Sequence, residues 1–262
     1  MLIMCEHCLA ITQSKECLIK KSIQAKQGLS GNQLKLIAII CMTIDHLAWV
    51  LFPGYSLEPI AILLHLTGRI AAPIFCFFIA EGFFYTHDLR KYILRLLLFA
   101  IPSHFAYLFC FGHSFVPSSI FNQTSVLWAF AGGLVALAVN KSNLKGIWKT
   151  LLIICICVVT FPADWSCIAV LVIYSFGTNR GKFKTQAIWL MIFVAMYAVI
   201  YVIFLDKTYG ILQMGVVLSL PLLYMYNGER GKCSCSGLKW GFYIYYPLHL
   251  FLLGLLRLAL RG

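Results

Sequence analysis

Charged residues are scarce in this chain of 262 residues, and acidic residues are the scarcest. Asp, Glu, Lys and Arg together make up 11% of the sequence, and only 9 residues are Asp or Glu. Soluble domains carry about 25% charged residues. The composition therefore excludes a soluble globular enzyme.

A secretory signal and a zinc motif are also missing from the N-terminal region. The first residues, MLIMCEHCLA, lack a basic region followed by an apolar core and a small-residue cleavage site. We expect residues 1–33, which are polar, to form a cytoplasmic tail. Cys5 and Cys8 have CxxC spacing, but no second pair follows at zinc-finger distance. Other cysteines lie within apolar runs, where they pack as small apolar residues, so we expect no metal site.

Hydrophobic residues are abundant, at 61% of the sequence, with a mean hydropathy of +0.86. We interpret their long runs as helices, because open strands cannot satisfy their backbone groups in lipid. The runs are 34–52, 60–85, 92–111, 121–139, 147–161, 165–177, 187–205, 209–226 and 240–258. They predict an all-α, polytopic helical transmembrane bundle of about nine spans, with one domain over residues 34–262. Because the runs within 147–177 are short, a re-entrant hairpin remains an alternative there.

Lys and Arg give the chain a formal net charge of +12. They lie between the apolar runs rather than on one polar face, which argues against a nucleic-acid partner. Basic loops alternate with loops that have almost no excess charge, as the positive-inside rule requires for nine spans with the N-terminus inside. Arg257 and Arg261 would then lie outside, against the rule.

Several ionisable residues lie inside the apolar runs, where a charge is costly and usually functional. They are Asp45, His46, His65, Arg69, Glu81, His104 and His249. His46 lies eleven residues beyond Lys35, about 16 Å along a helix and near the middle of a bilayer. We predict that Asp45, His46, Arg69 and His249 line one cavity. A purely structural ion pair between Asp45 and Arg69 is the alternative.

Five strings, read together, resemble the TraX family of bacterial membrane proteins. They are LKLIAIICMTIDHLAWVLF at 34–52, GRIAAPIFCFFIAEGFFYTHDLRKYILRLLLFAIPSH at 68–104, PADW at 162–165, YNGERG at 226–231 and YIYYPLHL at 243–250. The resemblance implies N-terminal acetylation of a conjugative pilin, with acetyl-CoA as the donor. It also implies a multi-pass protein of the bacterial cytoplasmic membrane, surrounded by the lipid bilayer. The acceptor stays open between a pilin, another surface protein, a glycan and a small molecule.

The spacing of Lys35 and His46 is similar to the basic-x10-His arrangement in the first helix of the acyltransferase-3 membrane enzymes. Acyl-CoA carries phosphates at one end and its thioester at the other, so the enzyme needs cations at the cytoplasmic mouth and a base farther in. Lys35, Arg90, Lys91 and Arg95 are the candidate cations for binding acyl-CoA.

The predicted mechanism is direct acyl transfer with neutral His46 as the general base. Asp45 would orient His46, or Asp45 would pair with Arg69 and another helix would supply the partner of His46. Arg69, His249 or Tyr246 would stabilise the oxyanion. A covalent cysteine intermediate is disfavoured, because no Cys has an evident basic partner in the sequence.

Two other classes of function compete with the acyltransferase. Ionisable residues within spans also build proton relays, which is typical of proton-coupled transporters. Inverted repeats would favour a transporter, and the sequence has none that we detect. The second alternative is a non-catalytic scaffold for pilus or envelope assembly.

Overall fold

The computed structural model describes residues 28–114, 123–231 and 236–261. The CxxC pair and most of the expected cytoplasmic tail lie outside these residues. The described residues form helices joined by short connections, and the strand-like pairing among them consists of two isolated bridges. The all-α prediction is confirmed.

Eleven α-helices and one 3-10 segment make up the described part of the chain. They are α1 Gly31–Leu51, α2 Pro59–Gly68, α3 Ala71–Tyr85, α4 Leu89–Phe111, α5 Val126–Lys141, α6 Gly146–Thr160, α7 Ser166–Thr178, α8 Phe183–Phe204, α9 Lys207–Leu212, the 3-10 segment Gln213–Leu218, α10 Ser219–Tyr224 and α11 Ser236–Arg261.

Within the described ranges, 5 helices are long and apolar enough to cross a membrane. These are α1, α2 with α3 as one kinked helix, α4, α8 and most of α11; three shorter apolar helices are α5, α6 and α7. The expected run 209–226 is broken into α9, the 3-10 segment and α10. The chain is therefore a helical membrane protein, but helix length does not confirm nine spans.

Small residues allow the central helices to approach one another closely. A Cβ on Gly133 of α5 would meet Ile173 of α7, and a Cβ on Gly177 of α7 would meet Leu137 of α5. Each helix thus places a glycine against a large side chain of the other, so α5 and α7 pack closely, as helices with small residues commonly do in membranes. By contrast, the buried residue of α6 is Thr160 at its end, so most of its apolar side chains face outward.

Loop contacts gather the connections into two groups at opposite ends of the helices. At the first, the basic end, Leu29 pairs with Tyr226 and Arg180 donates two hydrogen bonds to Glu81. At the second, Asp164 N–H donates to Thr124 O and the Tyr209 hydroxyl donates to Ser56 O. We define the basic end as residues 28–31, 81–91, 178–182 and 225–231, and the opposite end as 52–58, 123–125, 161–165 and 205–209. The loops at the basic end are those that the sequence assigns to the cytoplasm.

Candidate functional site between helices α1 and α11

A small cavity of about 30 Å³ lies inside the bundle. Its walls come from α1, the bend between α2 and α3, α5, the turn before α7, and α11. The lining residues are Met42, Asp45, His46, Gly68, Ala71, Ala72, Phe75, Val126, Phe130, Asp164, Trp165 and Tyr246. This volume holds one or two water molecules. The cavity has a mixed lining, with two carboxylates and one imidazole among apolar side chains.

Asp45 is bound on both oxygens by residues of the second helical segment. His65 Nδ1 lies 2.8 Å from Asp45 Oδ1, and Arg69 Nη2 lies 2.7 Å from Asp45 Oδ2. Because a carboxylate only accepts, both partners donate. His65 and Arg69 are four residues apart, and the Arg69 N–H donates a helical hydrogen bond to the His65 carbonyl. Both side chains therefore lie on one face of the helix.

Arg69 is held on several sides besides its ion pair with Asp45. Its Nη1 donates to Gln213 Oε1 at 2.8 Å, and its Nε donates to the His65 carbonyl at 3.3 Å. The ring of Trp165 lies 5.8 Å from the guanidinium carbon. Asp45, His65, Arg69 and Gln213, which we call the Asp45 cluster, therefore tie α1, α2 and the 3-10 segment together. Gln213 was absent from the sequence-based predictions because an uncharged amide in an apolar run gives no distinctive signal.

His46, the neighbour of Asp45, pairs with α11 instead. Its Nδ1 lies 2.8 Å from Nε2 of His249, and the two rings are stacked with centroids 5.1 Å apart. Both residues are buried, with 6% and 5% of their surface exposed. The partner of His46 is thus on another helix, which was one of the two arrangements expected. Asp45 does not orient His46 by a hydrogen bond.

The hydrogen bonds of this pair define which nitrogen carries each proton. His249 Nδ1 lies 3.0 Å from the carbonyl oxygen of Tyr245, which can only accept, so His249 Nδ1 is protonated. In the neutral ring, Nε2 is then an acceptor and must receive its bond from His46 Nδ1–H. This assignment leaves the lone pair of His46 on Nε2. His46 therefore has the tautomer of a general base.

Tyr246 contributes the next polar group of the cavity wall. Its ring lies edge-on to His46, with centroids 6.4 Å apart, and the residue is 6% exposed. Its hydroxyl lies beside the Val126 backbone but makes no hydrogen bond of good geometry within the described residues. A buried hydroxyl without a hydrogen bond costs free energy unless a ligand or a water molecule supplies the missing bond.

The four predicted catalytic residues therefore come together in two connected pairs. Asp45 and His46 line the cavity as expected, whereas Arg69 and His249 are not among its lining residues and instead contact Asp45 and His46. His65 joins them through Asp45. His104 is partly exposed beside Phe105, and Glu81 lies at the basic end, so neither is among the lining residues.

The predicted donor-binding cations lie away from the cavity, toward the basic end. Lys35 Nζ is 4.8 Å from the centre of the Phe78 ring and 5.7 Å from that of Phe242 on α11. Arg95 packs over Tyr92. The other two candidates, Arg90 and Lys91, are exposed at the start of α4, and Lys91 pairs with Asp88 at 3.3 Å.

Asp164 and Trp165 are lining residues that we did not single out as site residues from the sequence. Both lie in the PADW string: Asp164 falls between the apolar runs 147–161 and 165–177, and Trp165 begins the second run but carries no charge, so neither stood out as an ionisable residue within a span. Trp165 and Ser166 have positive φ values of 63° and 49°. Two consecutive non-glycine residues in this region are uncommon, and such backbone strain clusters at functional sites.

Comparison with known proteins identifies the family of the chain. The model of the TraX protein family matches residues 30–257. The chain therefore belongs to the TraX family. The resemblance seen in the sequence is confirmed over nearly the whole described structure.

Two individual proteins are also similar to this chain. "Probable fimbrial assembly protein FimC, serogroup H1" of Dichelobacter nodosus is 29% identical over 233 residues, covering 86% of this chain and 94% of that protein. "Uncharacterized protein RP591" of Rickettsia prowazekii is 37% identical over 65 residues, which are 25% of this chain and 24% of that protein. No solved structure matches the chain.

Proposed function

We propose that this TraX-family protein is a membrane-embedded acyltransferase that moves an acetyl or other short acyl group from acyl-CoA to an amine or hydroxyl acceptor. The observation that carries the proposal is the contact between His46 Nδ1 and His249 Nε2, from which the tautomer of His46 follows. Its Nδ1 is engaged by His249, and its basic Nε2 belongs to a residue that lines an internal cavity. A neutral imidazole held in this way offers one lone pair that can accept a proton from the acceptor group.

The proposed reaction is a direct transfer without a covalent enzyme intermediate. The acceptor attacks the thioester carbonyl as His46 Nε2 removes its proton, and the C–S bond then breaks with the electron pair on sulfur. Protonated His46 returns the proton to the thiolate of CoA. The Tyr246 hydroxyl, which has no good hydrogen bond within the described residues, is the first candidate donor to the oxyanion.

Donor binding is assigned to the basic end of the bundle. Lys35 lies next to this end, against Phe78 and Phe242, and Arg230 is close enough to interact with it electrostatically. Two neighbouring cations favour the phosphates of acyl-CoA. With Lys35 about 16 Å from His46 along α1, the phosphates would remain near the cytoplasm while the thioester reaches inward. Arg90, Lys91 and Arg95 are further candidates for phosphate contacts.

The cavity must widen before it can bind an acyl group. Its volume of about 30 Å³ admits water but not an acetyl thioester with an acceptor. We assign the opening to a movement between α11 and α1, because the His46–His249 pair joins these helices across the cavity wall.

A pilus-related role in the membrane agrees with the relative described as a fimbrial assembly protein. We propose the bacterial cytoplasmic membrane as the location, nine crossings with the N-terminus inside, and a pilin N-terminus as one candidate acceptor. Reporter fusions at Asn143 and Gly181 should both read cytoplasmic. An external reading at either position would overturn the nine-span topology.

The test of the activity uses the purified full chain in liposomes, with radiolabelled acetyl-CoA and a membrane extract as the acceptor. Wild-type protein should transfer label, and His46→Ala should lower the rate by about 100- to 10,000-fold, the usual contribution of a general base. Lys35→Ala should mainly raise the apparent KM for the donor, because a mouth cation binds phosphate in ground and transition states alike. An unchanged rate in His46→Ala would place the base elsewhere, with His249 next.

A non-catalytic assembly scaffold is the second candidate, favoured by the name of the Dichelobacter relative. A scaffold should keep pilus assembly in His46→Ala cells without any transfer of label by the wild type. A wild type that transfers no label but dissipates a proton gradient in vesicles would instead indicate a proton-coupled transporter.

A further inference from the structure

Helix α5 begins inside the bundle without a capping side chain. Ser125 occupies the N-cap position, but its side chain makes no capping hydrogen bond. Its hydroxyl is fully buried and has no hydrogen-bond partner among the described residues. The first N–H groups of a helix have no acceptor within the helix, so a buried helix start needs acceptors from elsewhere. The start of α5 therefore offers hydrogen-bond donors to a ligand.

The turn before α7 holds the start of α5 at the cavity. The Asp164 N–H donates to Thr124 O, and the Gln123 N–H donates to Pro162 O, both at 2.8 Å. With 16 residues, α5 is about 24 Å long, which is shorter than a hydrocarbon core of about 30 Å. Its start can therefore lie within the bundle, and Val126, its first residue, lines the cavity.

Tyr246 brings a second donor to the same part of the cavity. The residue is 6% exposed and lines the cavity, and its hydroxyl lies beside the Val126 backbone. This hydroxyl makes no hydrogen bond of good geometry within the described residues. The ring centroid of Tyr246 is 6.4 Å from that of His46, the proposed base. One reacting carbonyl group is therefore close enough to contact both the base and these donors once the cavity widens.

The carboxylates of the cavity leave these donors without an acceptor. Both oxygens of Asp45 accept from other residues, His65 and Arg69. Asp164 Oδ1 accepts from the N–H of Trp165. An ionised Asp164 would repel any oxygen that becomes negative in this cavity, so such an oxygen needs direct donors.

We propose that the Val126 N–H and the Tyr246 hydroxyl together form the oxyanion hole of the acyl transfer. This inference rests on the proposed acyltransferase function and adds to it a backbone donor at the start of α5. The start of a helix carries a partial positive charge, which favours developing negative charge. Because the fold fixes this donor before the reaction, its use costs no reorganisation.

The two donors act only on the carbonyl oxygen. As the acceptor attacks the thioester carbon, His46 Nε2 takes the acceptor's proton and the C=O π pair moves to oxygen. That oxygen accepts hydrogen bonds from the Val126 N–H and the Tyr246 O–H, and no proton is transferred to it. The carbonyl re-forms as the C–S bond breaks with its electron pair on sulfur, and His46 gives its proton to the thiolate. The donors should therefore affect kcat more than donor binding.

The experiment measures transfer from radiolabelled acetyl-CoA to a membrane extract by wild type and Val126→Pro in liposomes. Pro is well tolerated at the first helical position, and Ser125 before it already has an extended backbone, with φ −66° and ψ 156°. The substitution removes the N–H with little change in side-chain volume. The kcat should fall by about 100-fold, as for the loss of one oxyanion donor, with little change in the KM for acetyl-CoA. Tyr246→Phe should behave in the same way.

Three controls separate this role from a structural one. Gly146→Pro places proline at the same position of α6, after the extended Lys145, where a Cβ meets nothing within 4 Å; its kinetics should match those of the wild type. Val126→Ala shortens the side chain but keeps the N–H, so it should lose much less activity than Val126→Pro. S-acetonyl-CoA, a ketone that cannot transfer its acyl group, should bind to Val126→Pro and wild type with the same Kd.

The possible results distinguish this inference from the proposed function. An unchanged kcat in Val126→Pro or in Tyr246→Phe would overturn the two-donor oxyanion hole while leaving acyl transfer intact. Equal losses in Val126→Ala and Val126→Pro, or a loss of S-acetonyl-CoA binding that matches the loss in kcat, would show a change in the shape of the site and refute the role of the N–H. Absence of any transfer by the wild type would overturn both the inference and the proposed function.

Discussion

Two adjacent residues of α1, Asp45 and His46, meet two different environments. Both oxygens of Asp45 are occupied by donors, and the cluster around it ties α1 to α2 and the 3-10 segment. His46 is held on one nitrogen by His249, while its other nitrogen keeps a lone pair. Asp45 has both carboxylate oxygens engaged, although Nε2 of His65 in the same cluster has no hydrogen-bond partner among the described residues; His46 has one of its two ring nitrogens engaged.

The difference follows from helical geometry. Adjacent side chains point about 100° apart around a helix, so Asp45 and His46 cannot share one partner in the same way. A buried ion pair is costly to break once both oxygens of its carboxylate are engaged. An imidazole with one committed nitrogen can exchange a proton with a ligand. We therefore expect variants of the Asp45 cluster to lose stability and variants of the His46 pair to lose activity.

The largest stability effect should come from Arg69→Met. Removing the guanidinium leaves Asp45 buried with only His65 on its carboxylate, and breaking a buried pair in this way costs about 3–5 kcal/mol. The temperature at which the detergent-solubilised protein loses its monodisperse state should fall clearly. Arg180→Met is the matched control, because that pair with Glu81 is partly exposed. Equal losses in both variants would remove the distinction between the two ion pairs.

Gly68→Ala should have an intermediate effect. A Cβ on Gly68 would overlap the side chain of Asp45, so α1 and α2 would have to separate. Overpacking of this kind costs about 1–3 kcal/mol, and the same thermal measurement checks it. Gly146→Ala is the control, since a Cβ there meets nothing within 4 Å. A fully stable Gly68→Ala variant would show that the contact between α1 and α2 is looser than described.

His249→Phe should reduce activity with a smaller change in stability. The substitution keeps an aromatic ring next to Tyr245 but removes the acceptor for His46 Nδ1–H, so the His46 tautomer is no longer fixed. We expect a loss of about tenfold in kcat, corresponding to about 1.4 kcal/mol, in the labelled-acetyl assay. His249→Gln, which retains an acceptor, should recover part of the loss. A loss of stability as large as that of Arg69→Met would show that His249, like Arg69, mainly stabilises the fold.

The smallest effect should come from Glu81→Gln at the basic end. Its partner Arg180 is 38% exposed in its side chain, and it also packs over Phe84 and Tyr85. Exposed ion pairs contribute about 0–1 kcal/mol. Thermal stability in detergent should therefore change little, and less in 1 M salt, where charges are screened. A large loss would show that this pair closes the bundle at the basic end.

Part of the site was predictable because charged residues are costly in lipid. Asp45, His46, Arg69 and His249 stand out in the sequence as ionisable side chains within apolar runs, and the structure brings them into two contacting pairs. Their partners were not predictable, because adjacent positions on α1 give no information on which helix each side chain faces. Gln213, which is uncharged, and Asp164, which lies in a turn, carry no such signal.

The sequence by itself determined the class of the protein and its helical composition. Long apolar runs have few alternatives to helix when the solvent is lipid, because every backbone polar group must be satisfied within the segment. The basic loops and the family strings were equally local features, readable without the fold. These properties depend on residues close together in the chain.

Only the tertiary structure decided how the polar residues pair and which of them keep a polar atom without a partner. The contact between His46 and His249 joins residues 203 positions apart, and that between Arg69 and Gln213 joins residues 144 apart. Such pairs depend on helix rotation, bends and close approach at glycine, which are set by packing of the whole bundle. The segment 207–224 was not predictable from sequence for the same reason. The chain there forms three short helices instead of one long helix, and the second of them begins at Gln213, which accepts a hydrogen bond from Arg69.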